Sequence, residues 1–69
     1  MDYHTEGKKL KERALRYLNT EYPYAYHSAY YHQYHDSLSL KIETTCKNES
    51  LLQELKKYLG FQKIHIVVL

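Results

Sequence analysis

The chain reads as a single small α+β domain, residues 1–69, in which helix, strand, strand, helix and strand follow one another. Three observations predict this. Apolar residues recur at helical spacing twice, at Leu10, Ala14, Tyr17 and Leu18 and again at Leu51, Leu52, Leu55, Tyr58 and Leu59. Between them, Leu38, Leu40, Ile42, Thr44 and Cys46 alternate with Ser39, Lys41, Glu43 and Thr45, the pattern of a half-buried strand. After the second helix, Ile64, Ile66 and Val68 alternate in the same way. A strand, helix, strand unit closes into a right-handed crossover with parallel strands. The simplest assembly is a three-stranded mixed sheet with both helices on one face and the other face open.

The first helix is expected over Lys8 to Thr20, after a polar lead with Asp2 or Thr5 available as its cap, and Gly7 only blurs its start. Leu15 widens its apolar stripe, and Glu12 can pair with Arg16 one turn on. Lys9, Arg13 and Arg16 form a basic ridge away from the stripe. Pro23 lacks an N–H and biases Tyr22 toward extended geometry, so the helix stops by about there.

The stretch from Tyr22 to Asp36 holds six of the nine tyrosines and three of the five histidines. As a strand it places Tyr24, Tyr26, Ser28, Tyr30, His32 and Tyr34 on one side and Ala25, His27, Ala29, Tyr31, Gln33 and His35 on the other. Asp36 and Ser37 are turn formers, so this segment and the alternating one read as a hairpin. A two-residue loop at Asp36 and Ser37 pairs Gln33 with Leu40, Tyr31 with Ile42 and Ala29 with Thr44, leaving the tyrosine row on the open face. A three-residue loop, His35 to Ser37, pairs Tyr34 with Leu38, His32 with Leu40 and Tyr30 with Ile42, and buries the row. One residue of register exchanges the faces. A helical alternative stacks Tyr26, Tyr30 and Tyr34 at i, i+4 and i+8, although tyrosine and histidine are indifferent helix formers.

For the second helix, Asn48 is the expected N-cap, with Glu49 at its positive end and Lys56 and Lys57 near its negative end. Gly60 is placed for a left-handed C-terminal cap, with Phe61 folding back on Leu55. The last strand spans Gln62 to Leu69, with Lys63, His65, Val67 and Leu69 opposite its core side.

Composition narrows the function classes. Apolar residues make up 43% and charged residues 26% of the chain, the balance of a globular domain rather than a disordered one. The net charge of +2 is below that of a dedicated phosphate-backbone binder. One cysteine, Cys46, allows no internal disulfide, and neither a leader pattern nor a span-length apolar run is seen, which points to a reducing, cytoplasmic setting and no membrane.

An exposed tyrosine row is a rigid amphipathic contact surface. The expectation is a small non-enzymatic protein-binding module of inhibitor or adaptor type, anchored by Tyr24, Tyr26, Tyr30, His32 and Tyr34 with Lys41 beside them. Accessory proteins of phages and mobile elements offer an analogy of size only. The alternative is single-stranded nucleic-acid binding, the rings stacking bases and Lys41, Lys63 and His65 lining the path. No cofactor and no metal are expected, since His27 and His35 share a strand face that His32 does not. Cys46 lacks a partner pattern for nucleophilic chemistry. The sequence IHIVVL makes the last strand an edge able to pair with a second copy.

Overall fold

The computed structural model describes residues 3–69. Its elements are α1 (Tyr3–Glu21), β1 (His27–Tyr34), β2 (Ser37–Thr44), α2 (Leu51–Leu59) and β3 (Ile64–Val68), the order and α+β class that periodicity predicts. The sheet order is β1-β2-β3, with β1 antiparallel and β3 parallel to the central β2.

Both helices lie on one side of this sheet because every element turns its apolar residues there. Leu10, Ala14 and Leu18 from α1, Leu51, Leu55 and Leu59 from α2, Ala29 from β1, Leu38, Leu40 and Ile42 from β2 and Ile64 from β3 form one core. At ~25 cal/mol per Å² of apolar surface removed from water, this burial is the main stabilising contribution in so small a chain.

α1 starts at Tyr3, more than a turn before the expected Lys8, so Thr5 lies inside the helix rather than capping it. Asp2, the other cap considered, lies outside the described residues. The extra turn is held by tertiary contacts. Tyr3 donates its hydroxyl to the Asp36 carbonyl at 2.6 Å, and Gly7 is buried where the Tyr31 ring crosses the helix. Gly7 is thus a close-approach position, not an imperfection at the helix start. At the other end Pro23 takes effect as expected: α1 ends at Glu21, with Tyr22 N–H donating to the Leu18 carbonyl.

The hairpin keeps the parity of the two-residue-loop reading but moves the loop. His35 and Asp36 form the turn, and the pairs are Gln33 with Leu38, Tyr31 with Leu40, Ala29 with Ile42 and His27 with Thr44. Each β1 residue therefore meets a partner two positions earlier in β2 than expected, which leaves its facing unchanged. His35 supplies the positive φ, 53°, that tight hairpin turns require and for which glycine is the usual residue. Ser37 Oγ donates to the Tyr34 carbonyl across the loop and begins β2 instead of turning.

At α2 the N-cap position is taken by Ser50, without a side-chain cap bond. Asn48 instead accepts the Ser50 N–H on Oδ1, a local turn two residues long that competes with capping. Gly60 adopts φ 62° and ψ 32°, and its N–H reaches the Lys56 carbonyl, the expected left-handed stop. Phe61 is half-buried against the core. β3 is shorter than expected, because an Ile64 N–H to Gln62 carbonyl bond bends the chain just before Ile64.

Candidate binding face

β1 is amphipathic at period two, and its odd side explains why the even side is outside. Ala29 is small enough to pack beneath α1, and Tyr31 lies half-buried over Gly7, its hydroxyl 2.5 Å from His4 Nδ1. His27, the polar residue on that side, is fully matched. Its Nε2–H donates to the Tyr22 carbonyl at 2.8 Å, so in the neutral ring Nδ1 accepts the Thr44 hydroxyl, also at 2.8 Å. Thr44, buried completely, accepts in turn from Cys46 N–H. Gln33 and His35, which had no apolar role to play, lie exposed at the hairpin end.

The even side carries Tyr30 and Tyr34, exposed by 43% and 73%, with His32 exposed between them. Tyr26, 54% exposed, precedes the strand but continues its line, because it exchanges bonds with Thr45 through its N–H and carbonyl. From Tyr26 to Tyr34 the row is about 27 Å long at strand rise. Tyr24 is not on the strand: it projects fully into solvent from the turn after Pro23. Ser28 donates to the Tyr30 hydroxyl at 3.0 Å, which steadies that ring.

Register determines what lies beside the rings. Tyr30 pairs with Lys41, which pairs with His65, so one row crosses all three strands as ring, cation and imidazole. The next row is Ser28, Glu43 and Val67. Lys41 Nζ lies 3.7 Å from Glu43 Oε2, an ion pair between neighbours on the same face of β2. Ser37 and Ser39, facing Tyr34 and His32, keep the centre of the face low, so the tyrosine edge stands above it.

The basic ridge lies elsewhere. Lys9, Arg13 and Arg16 are exposed on α1, on the helix side of the sheet, and the Glu12 to Arg16 pair is not among the ion pairs of the described residues. Arg13 is turned to α2, where it donates to the Tyr58 carbonyl at 3.3 Å and lies 5.6 Å from the Tyr58 ring centroid. It thereby adds positive charge at a helix C-terminus.

A polar cluster that spacing did not reveal joins α1, the loop before α2 and α2. Tyr17 and Tyr22 donate to Glu54 Oε1 at 2.9 and 2.7 Å, and Asn48 Nδ2 donates to Glu54 Oε2 and to the Tyr22 hydroxyl. The Tyr22 and Tyr17 bonds hold the Glu54 carboxyl below its usual range. Burial, then the bond to Glu54, pushes the Tyr17 phenol up to about 12, and the Glu54 bond raises that of Tyr22. Its geometry is that of a clamp between the helices, with both Glu54 carboxylate oxygens bonded.

His27, His32 and His35 do not converge: one is bonded under the helices, one lies on the open face and one forms the turn. No group of three potential metal ligands occurs among the described residues, and none of their helices is long and apolar enough to cross a membrane. No protein-family model, curated protein or solved structure matches this chain.

Proposed function

We propose that this protein is a small non-enzymatic binding module, of inhibitor or adaptor type, whose open sheet face docks a protein partner. Tyr24, Tyr26, Tyr30, His32 and Tyr34 are its anchors. The observation that carries this reading is the row of exposed phenols on the side of the sheet that neither helix covers. Such rings supply large contact area and a hydrogen-bonding tip while losing little side-chain freedom. A protein is favoured over a polyanion because the central cation, Lys41, is already paired with Glu43, and because the basic ridge is on the far side.

The test is the double variant Tyr30→Ala/Tyr34→Ala against wild type, in quantitative capture of partners from source-cell lysate with thermal stability measured in parallel. Proteins retained by wild type are lost by the variant at unchanged melting temperature. For an isolated partner each anchor is worth about 2 kcal/mol, or about 30-fold in Kd. Equal capture by both proteins overturns the reading.

The row of Tyr30, Lys41 and His65 supports single-stranded nucleic acid as the second reading, with bases stacked on the rings at ~1–3 kcal/mol each. That reading requires oligonucleotide affinity that falls steeply with salt. A salt-independent or absent signal at low salt removes it.

A further inference from the structure

β2 is longer than the strand beside it. Its pairing with β1 runs from Ser37 to Thr44, whereas its pairing with β3 begins only at Leu40. Hydrogen bonds fix which backbone groups face β3: Leu40 N–H donates to the Lys63 carbonyl, and the Thr44 carbonyl accepts from Leu69 N–H. Even residues of β2 thus turn their N–H and C=O toward β3 and odd residues toward β1. Leu38 is even. The residue two places before its neighbour's partner is Gln62, but the Ile64 N–H to Gln62 carbonyl bond bends the chain off the line at that point. Among the described residues no bond reaches the outward backbone groups of Leu38.

A cleft of 480 Å³ lies at this place, between the hairpin end and the α2–β3 connection. Its floor is apolar, made by Leu10, Leu38 and Leu59 where the core reaches the surface, with Phe61 as one wall. Arg13, Lys63, Glu6 and Asp36 ring the mouth, two cations against two anions. A free strand edge beside an apolar slot is the arrangement that recognises extended peptides: main-chain bonds give affinity, and a side chain in the slot gives choice.

We propose that this cleft captures an extended segment of a protein partner. The segment adds to the edge of β2 at Leu38, in line with β3, and sets one large apolar side chain on the floor. This surface is separate from the tyrosine face and does not depend on it. The balanced rim implies that recognition rests on shape and backbone, with little dependence on salt.

The test uses the full chain, labelled with ¹⁵N, and capped seven-residue threonine-rich peptides whose central residue is alanine, valine, leucine, phenylalanine or tyrosine. In the unbound protein the Leu38 amide exchanges with solvent ~100-fold faster than that of Leu40. Peptides with a large central residue give saturable shifts at Leu38, Phe61 and Lys63, with Kd about tenfold tighter than the alanine peptide. N-methylation of the peptide backbone at the paired position abolishes the shifts. Tyr30→Ala/Tyr34→Ala leaves them unchanged, which separates this site from the face proposed above. A Leu38 amide as protected as that of Leu40, no saturable shift with any peptide up to about 5 mM, or shifts that follow protein self-association instead of peptide each overturn the proposal.

Discussion

Replacing Gly7 with alanine should destabilise this protein, although the same change in an ordinary helix interior stabilises by about 1 kcal/mol. An alanine Cβ built on Gly7 would lie 2.6 Å from Cγ and 3.0 Å from Cβ of Tyr31. Carbon atoms in contact rest at about 3.5–4.0 Å, so ring and helix must separate by roughly 1 Å. The atoms in the way are at the root of the Tyr31 side chain. They cannot move aside without turning the whole ring and pulling its hydroxyl from His4.

Overpacking costs about 1–3 kcal/mol and the exposed hydrogen bond about 1, against the gain of about 1 in helix propensity. The net is a loss of about 2 kcal/mol, a large share of the total stability of a chain this size, and a fall in Tm of about 8–16 °C. Urea unfolding followed by far-UV circular dichroism on wild type, Gly7→Ala, Tyr31→Ala and the double variant measures it. In the Tyr31→Ala background Gly7→Ala becomes neutral or stabilising, giving a coupling of about 2–3 kcal/mol. Equal effects of Gly7→Ala in both backgrounds, or a stabilised single variant, refute the role given to the ring.

The Glu54 cluster makes stability depend on pH at both ends. The Glu54 carboxyl is depressed from its ordinary 4.5, so its contribution is present above that pH and is lost as pH falls through the lower folded value. Tyr17 is raised from 10.0 to about 12, so its contribution is present below pH 10 and is lost as pH rises from 10 toward 12. Melting curves across pH should show both losses, and Tyr17→Phe should flatten the alkaline one; an unchanged alkaline slope contradicts the assignment. The two positive-φ positions respond oppositely to substitution. Gly60→Ala, with no atom near the new Cβ but φ at 62°, costs about 1 kcal/mol, whereas His35→Gly at φ 53° gains a few tenths to about 1. Chemical denaturation midpoints that move the other way contradict the backbone argument.

Element order was legible because each element announces its own period, and the stop signals Pro23 and Gly60 act on their immediate neighbours. The facing of β1 was not legible: side-chain parity left two registers open, one placing Ala29 and Tyr31 under the helices and the other Tyr30 and Tyr34, and the structure takes the first. What escaped depends on residues far apart in the chain. Nothing near Gly7 says that Tyr31 will cross it, and nothing near Glu54 says that Tyr17 and Tyr22 will aim at one carboxylate oxygen. The choice of His35 over Ser37 for the loop turned on a single positive φ at a residue that usually avoids it. Asn48 was a reasonable cap by type, but its side chain serves a local turn and the clamp to Glu54. The cleft at the hairpin end is lined by residues from α1, the hairpin and the α2–β3 connection, beside the stretch of β2 that β3 does not reach, a matter of register between distant segments that no local pattern encodes.

The division of β1 into two sides has a consequence for how such a chain can diverge. Ala29 and Tyr31 are constrained by their seats against α1, and His27 by its links to Tyr22 and Thr44. Tyr26, Tyr30, His32 and Tyr34 lie exposed on the other side, outside the buried core, where replacement costs least. A lineage can therefore rewrite every second letter of this segment while the scaffold beneath drifts hardly at all.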